Sequence, residues 1–465
     1  MTLLNFLSFF LLYDNPAKGK TLTMIQNCSI FPKICQIYDK IRKMKLLAAI
    51  IFLLTYAFLV FSSQHKALIT WSGVLALLIL GVLTPLEGWQ AINWDVMGLF
   101  AGTLIIADLF IVSQAPALFA DLLVSRAKSV GLAILSICLL SSLISAFVEN
   151  VATVLIVAPI AFELAKRCKI SPVMPIIAIA ITSNLQGAAT LIGDPPSMIL
   201  GSYANINFNQ FFIYQGRPGM FFAVQVGALV SFIVLYLMFR RFRQPVHLEG
   251  QAKVLSWVPT ILLGLLVFAL ALISFLPFTI PLAAGKVTML LAIVGLGWFV
   301  LYHKKVNPSW EVVKKFDYET LFFLLGIFIL VASLTKTGLV QDIALWLRTI
   351  SGGNYFIAYS IVVWGAVFFS AFIDNVPFIL AMLPATQYLA QSFGVAPQLF
   401  YFGLLIGASV GGNITPIGAS ANVVACGLLK KHHYPVSFWE YVKIGLPFTL
   451  AAVTASYLFL WVVWR

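Results

Sequence analysis

Charge is scarce in this sequence: Asp, Glu, Lys and Arg make up 10% of its 465 residues, where soluble domains carry about 25%. With 61% hydrophobic residues and a mean hydropathy of +0.99, there is too little polar surface to cover a water-soluble globule. A soluble enzyme or binding module is excluded. Apolar runs of about 17 to 25 residues recur along the chain, the length a helix needs to cross a bilayer core. The fold class is therefore an all-α polytopic membrane protein embedded in a lipid bilayer. Cysteine is also sparse. The five present (Cys28, Cys35, Cys138, Cys168, Cys426) form no CxxC or zinc spacing, so neither a disulfide framework nor a structural metal is inferred. Five histidines (His65, His247, His303, His432, His433) all fall in or beside loops, which argues against a buried histidine relay. The net charge of +13 comes from Lys and Arg spread over short loops. It reads as a topology signal toward an anionic leaflet, not as a nucleic-acid surface.

Candidate crossings are residues 46–62, 68–84, 95–113, 172–200, 220–240, 256–276, 282–302, 318–335, 398–428 and 443–463. Two further apolar segments, 129–165 and 355–391, are each interrupted by one polar step, Glu149-Asn150 and Asp374-Asn375. Arg126 and Lys128 precede the first while Lys166, Arg167 and Lys169 follow it, so under the positive-inside rule both its ends are cytoplasmic. The loops carrying Arg240, Arg241 and Arg243, then His303, Lys304, Lys305, Lys314 and Lys315, then Lys430 and Lys431 continue the pattern. It puts the ends of the second interrupted segment, and the C-terminus, outside. Lys40, Arg42, Lys43 and Lys45 disagree, since the same map places them outside. Residues 1–43 form an extension unlike the rest, and translation starting at Met44, with MKLLAAIIFLL, is one reading of it.

The chain repeats itself. SAFVENVATVLIVAP from Ser145 overlays SAFIDNVPFILAMLP from Ser370 at an offset of 225, pairing Glu149 with Asp374. The same offset lays NLQGAATLIGDPPS on SVGGNITPIGASAN, pairing Gly187 with Gly412, Thr190 with Thr415 and Gly193 with Gly418, and an offset of 224 pairs Asp95 with Glu319. The repeats are expected to occupy residues 44–245 and 246–465. Each holds five crossings plus an even-numbered excursion, and an odd count inverts the second copy. Inverted-topology repeats with interrupted helices at their interface are the architecture of secondary transporters.

The polar residues cluster at the interruptions. A carboxylate at bilayer depth is costly unless it faces a cavity or a partner, which marks Glu149 and Asp374 as ion-binding candidates with Asn150, Thr153 and Asn375. The same residues also suit capping, with Asn150 or Asn375 capping the following half-helix and the acids favouring its positive end. Another reading makes each segment two full spans joined by an exposed turn. In the second constellation, Gly187, Gly193 and Pro195-Pro196, and their counterparts Gly412, Pro416 and Gly418, should break the crossing near its middle, where freed backbone groups line a cavity or bind a ligand. Asn184, Thr190, Asp194, Asn413, Thr415 and Asn422 supply polar groups around the breaks. Asp108 sits within a crossing as a possible proton-coupling site, and Glu163 pairs at the basic end.

On the motifs SAFVENVATVLIVAPI, GAATLIGDPPSMIL, SAFIDNVPFILAMLP and GGNITPIGASANVV, the chain resembles the ion transporter superfamily over residues 46–465. The similarity is to its clade of arsenite permeases, NhaD-type sodium/proton antiporters and citrate-transporter-like permeases. The resemblance implies two re-entrant hairpins and two broken helices forming a midplane site that moves by an elevator-like or rocking cycle, and a homodimer. The dicarboxylate branch has Ser-Asn-Thr at both tips; here stand Glu149-Asn150-Val151 and Asp374-Asn375-Val376. Two such acids repel a dicarboxylate and suit Na⁺ or H⁺, which exclude each other at a carboxylate. The expected function is thus H⁺- or Na⁺-coupled secondary ion transport by alternating access, without cofactor or enzymatic chemistry. Arsenite or small-oxyanion efflux is the alternative. An ion channel fits interrupted inverted helices less well, and an intramembrane aspartyl protease would need a GxGD glycine where Leu191 stands.

Overall fold

A computed structural model of the chain describes residues 32–61, 65–245, 253–276, 282–303 and 316–465. Cys28, His247, Lys304, Lys305, Lys314 and Lys315 lie outside the described residues, as do residues 1–31 of the expected extension. Among the described residues nineteen helices follow one another. The first repeat holds α1 (Pro32–Phe61), α2 (Lys66–Ile79), α3 (Pro85–Ala91), α4 (Trp94–Val112), α5 (Ala115–Ser125), α6 (Val130–Ser145), α7 (Asn150–Arg167), α8 (Val173–Gly187), α9 (Pro195–Tyr203) and α10 (Met220–Phe239). The second holds α11 (Val258–Ile273), α12 (Ala283–His303), α13 (Tyr318–Lys336), α14 (Leu339–Ile350), α15 (Tyr355–Ser370), α16 (Asn375–Phe393), α17 (Gln398–Gly411), α18 (Ser420–Lys431) and α19 (Phe438–Trp464). A two-stranded ribbon, Ile213–Tyr214 with Arg217–Pro218, is closed by Gln215 and Gly216, both at positive φ, the signature of a tight hairpin turn.

Five described helices are long and apolar enough to cross a membrane alone: α4, α10, α13, α19 and residues 283–302 of α12. The expected crossings at 68–84 and 256–276 are shorter, 14 and 16 residues in α2 and α11, because Gly81 at positive φ ends the first and the apolar run of the second outlasts its helix.

The interrupted segments are helical hairpins that open at opposite ends of the molecule. At one end, the start of α6 is hydrogen-bonded to the arginine segment after α10, Val130 N donating to Gln244 O and Gly131 N to Phe242 O, both at 2.9 Å. Arg241 there reaches Met174 at the head of α8, and Phe162 of α7 stacks on His432 after α18. Of the basic segments that read as cytoplasmic signals, those flanking the first hairpin, following α10 and following α18 therefore share one end. At the other end Tyr355, which opens α15, packs on Phe393, which closes α16, and on Trp461 of α19. Lys45 of the disfavoured basic cluster is paired with Asp342 of α14. Also remote from the basic end, Lys336 and the Thr84 cap hold the Glu87 carboxyl down to about 2.

Three helices escaped the sequence reading, α3, α5 and α14. Both α5 and α14 start after a left-handed residue, Gln114 (φ 60°) and Gly338 (φ 79°), 224 positions apart. Helix α14 turns by 119° into α15. It carries Asp342 and Arg348 on one side and buries Leu339, Val340, Ala344 and Leu347 on the other, so an apolar-run reading takes it for a polar link.

Candidate functional site

The repeat visible in the sequence recurs as repeated bonding. Thr190 donates to the carbonyl of Ala146, and Thr415 to that of Ala371. Ser145 Oγ meets Asn150 Oδ1 at 2.8 Å, and Ser370 Oγ lies 2.6 Å from the Asn375 amide. Across each break, Ser197 Oγ donates to Gly187 O at 3.3 Å and Asn422 Nδ2 to Gly412 O at 2.9 Å. Each pair is related by the offset of 225, so hairpin tip and broken helix form one locked unit, built twice. The breaks fall at residues 188–194 and 412–419, between α8 and α9 and between α17 and α18, with a short 3-10 turn at Gly412–Ile414.

Glycine is required where the two parts meet. A Cβ on Gly193 would sit 2.9 Å from Ser145 O, and one on Gly418 would sit 2.8 Å from Ala371 O and Ser370 O. Such approaches are closer than a methyl group tolerates.

The units face each other across a cavity of about 180 Å³. Six helix N-termini ring it: Lys66 of α2, Glu149 to Ala152 of α7, Asp194 to Pro196 of α9, Asp317 and Thr320 of α13, Asp374 to Val376 of α16, and Ala419 to Ala421 of α18. Phe100, Leu104 and Asp108 of α4 close the wall. Four of the acids cap their own helices. Glu149 accepts from Ala152 N at 3.0 Å, Asp194 from Ser197 N at 2.8 Å, Asp317 from Thr320 N at 2.9 Å and Asp374 from Val376 N at 3.2 Å. Capping by Asn150 or Asn375, one expectation, is therefore corrected. The acids hold the N-cap position one residue before each helix, whereas the asparagines are its first helical residues and turn to Ser145 and Ser370. Helix dipoles stabilise carboxylates at these ends, which is how so many acids are tolerated together.

The acids differ in their partners. Asp374 Oδ2 receives the Lys66 ammonium at 2.6 Å, with Ser420 Oγ 3.5 Å away, while the Lys66 backbone N–H donates to Glu319 Oε1 at 2.9 Å. Among the described residues no Lys or Arg pairs with Glu149. Asp194 is 1% exposed; no donor meets its Oδ2 at hydrogen-bonding geometry, and the Ser409 hydroxyl beside it, equally without a partner, is the group nearest to satisfying it. Beneath the cavity, Asn184 Nδ2 donates to Asn413 Oδ1 at 2.7 Å and Asn422 Oδ1 at 2.9 Å, while Asn413 Nδ2 donates to Ile181 O at 3.0 Å. This fully buried triad joins the two broken helices. Asn184→Leu is expected to strand both oxygens at a cost of about 1–3 kcal/mol each. A lowered thermal midpoint of the purified protein in detergent, with reduced folded yield, checks it.

Of the residues singled out from sequence, Glu149, Asn150, Asn184, Asp194, Asp374, Asn375 and Asp108 line the cavity. Thr153, Gly187, Thr190, Gly412, Asn413, Thr415 and Asn422 do not. Thr153 bonds the carbonyl of Val148 at 3.4 Å, and the two other threonines spend their hydroxyls on the hairpin tips. Glu163 pairs with Arg167 at 2.5 Å. Lys66, Asp317, Thr320 and Ser420 were missed. Asp317 carried a signal, because 224 positions earlier Asn93 caps α4 in the same way. Leu155 lies both on the cavity wall and on a vestibule of about 840 Å³ at the basic end, lined by Lys166, Lys169 and His432.

Two inverted units of hairpin plus broken helix, closing on a polar cavity inside an apolar bundle, define a multi-pass membrane transporter. The chain belongs to the CitMHS citrate transporter family, whose model matches residues 56–407. It is 30% identical over 432 residues to an uncharacterized transporter of Mycobacterium tuberculosis, covering 90% of this chain and 98% of that one. It is also 27% identical to the P protein of Sus scrofa, over 86% of this chain and 57% of the relative. In fold it is similar to the YdaH transporter of Alcanivorax borkumensis, whose crystal structure is described as having an unusual topology (TM-score 0.55, 15% identity, 90% of this chain and 98% of that chain). A second likeness is MtrF of Neisseria gonorrhoeae, described with a class of antimetabolite efflux pumps (TM-score 0.52, 15% identity, 83% of each chain).

Proposed function

We propose that the protein is a secondary active transporter of a small ion, coupled to H⁺ or Na⁺. Alternating access would occur at the cavity between the two hairpin tips. One observation carries this: Glu149, Asp194, Asp317 and Asp374, drawn from both repeats, share the cavity wall, and among the described residues Lys66 is the Lys or Arg that lines it. A group of carboxylates drawn from both repeats suits a cation that protons displace. Glu149 and the open oxygen of Asp194 are the ligands we assign to it, with the Asn150 and Asn184 side chains beside them. The positive-inside rule supports placing the basic end, with its vestibule, in the cytoplasm and the C-terminus outside, in the cell membrane. Residues 44–245 and 246–465 act as the two halves of the cycle in this reading, and pairing into a homodimer rests on the superfamily resemblance alone.

A second reading has an anionic cargo, citrate or an oxyanion such as arsenite. It is favoured by the six helix N-termini around the cavity and by the family's description, since such ends attract anions. The purified protein in proteoliposomes separates the two. Uptake of Na⁺, H⁺, arsenite and citrate is measured with imposed Na⁺ and pH gradients. Saturable flux driven by one gradient is expected. A rate unchanged from about pH 6 to pH 9 and indifferent to Na⁺ refutes coupling, because H⁺ and a metal cation must compete at such acids.

A further inference from the structure

We propose that Lys66 is a tethered cation that keeps Asp374 compensated, so that the cavity has one exchangeable cation site, at Glu149 and Asp194, and not one in each repeat. The proposal rests on the transport reading and names its ion site.

The two hairpin tips are near copies in sequence and in bonding. Glu149 and Asp374 occupy equivalent positions, cap equivalent helices, and stand over equivalent Ser–Asn bonds. Symmetry alone predicts two equivalent ion sites. Lys66 breaks it. The position 224 residues on is Leu290, so the first repeat's tip receives no corresponding ammonium. Lys66 is placed by its own helix: it opens α2, and its backbone N–H is held by Glu319 of α13, which leaves the side chain directed at Asp374 Oδ2. Phe323 flanks the ammonium at 5.8 Å from the ring centroid, and both partners are about three-quarters buried. A partly buried ion pair held at both ends is not readily displaced by a solvated monovalent cation, because losing either partner strands the other's charge. The opposite wall offers what a mobile cation needs. Glu149 has no ammonium partner among the described residues, and Asp194 presents a buried oxygen without one. Asp317 lies within electrostatic reach of both Glu149 and Lys66, and Asp108 also lines the wall.

The test compares wild type, Lys66→Gln, and Lys66→Gln with Asp374→Asn, as purified full-length protein. Initial flux in proteoliposomes is measured against external Na⁺ at fixed pH. A single exchangeable site gives the wild type a Hill coefficient of about 1, and uncovering Asp374 moves Lys66→Gln toward about 2, since the coefficient is bounded by the number of sites. The double variant returns to about 1 and regains much of the flux. Thermal stability in detergent gives a readout that does not depend on transport: each single neutralisation lowers the midpoint, and the double variant recovers it. A wild-type coefficient near 2, an unaltered curve in Lys66→Gln, or a folded double variant as inactive as Glu149→Gln overturns the proposal. Wild-type flux that responds to neither Na⁺ nor H⁺ overturns the transport reading instead, while the stability cycle still decides whether Lys66 and Asp374 act as a pair.

Discussion

Glu149→Gln is expected to lower coupled flux at least a hundredfold while leaving the protein folded. The amide keeps the volume of the carboxylate and an oxygen to accept from Ala152 N, a bond of 3.0 Å in the native chain, so the α7 cap survives. What disappears is the tip charge that has no ammonium partner among the described residues. Two unit charges about 4 Å apart at an effective dielectric of 20 interact by about 4 kcal/mol. That is a factor of about a thousand in cation affinity, and a hundredfold loss leaves room for screening by water. The measurement is flux per folded molecule in proteoliposomes, with folding read from monodisperse elution in detergent. Asp374→Asn should behave differently. It strands the Lys66 ammonium and is expected to lose folded yield as well as flux. Normal flux in Glu149→Gln would reduce Glu149 to a helix cap, and would move the site elsewhere on the cavity wall.

Gly193→Ala and Gly418→Ala are the substitutions expected to damage the fold most. At each position the added methyl meets backbone on two sides: Gly187 and Ser145 in the first repeat, Gly412, Ser370 and Ala371 in the second. Backbone cannot rotate away as a side chain does. The break must therefore separate from the hairpin tip, loosening the Thr190 and Thr415 bonds that lock them together. Overpacking a close contact costs about 1–3 kcal/mol and occasionally more. Contact with main chain from two elements puts these sites at the upper end. A clear fall in thermal midpoint and in folded yield is expected for both. Gly264→Ala and Gly297→Ala serve as controls, since a Cβ there meets nothing within 4 Å. Equal behaviour of all four variants would show that the tip and the break are not closely joined.

Much of this was legible because its causes are local. A glutamate or aspartate in an apolar run, a Pro195-Pro196 pair and a Gly412 to Gly418 stretch each disturb a helix where they stand, and their recurrence at one offset gave the repeat. Positive charge at loop ends pointed to the same grouping that the described contacts make between residues 130, 174, 242 and 432. The short helices α5 and α14 were not legible from apolar runs, since at 11 and 12 residues each is too short to read as a crossing and its direction depends on a left-handed residue before it. Nor could spacing tell which hydroxyls face the cavity: Thr153, Thr190 and Thr415 are polar in sequence, yet each is satisfied by a backbone carbonyl.

By itself the sequence determined the class of protein, the duplication, and the places where helices are interrupted, because hydropathy, backbone-breaking residues and charge act over a few neighbours. Only the tertiary structure decided which acid keeps a free charge. Lys66 drew no reading from the sequence, and Asp374 read as the twin of Glu149. They meet across 308 residues, because α2 and α16 both begin at the cavity, and an ion pair depends on distance in space, which separation along the chain does not encode.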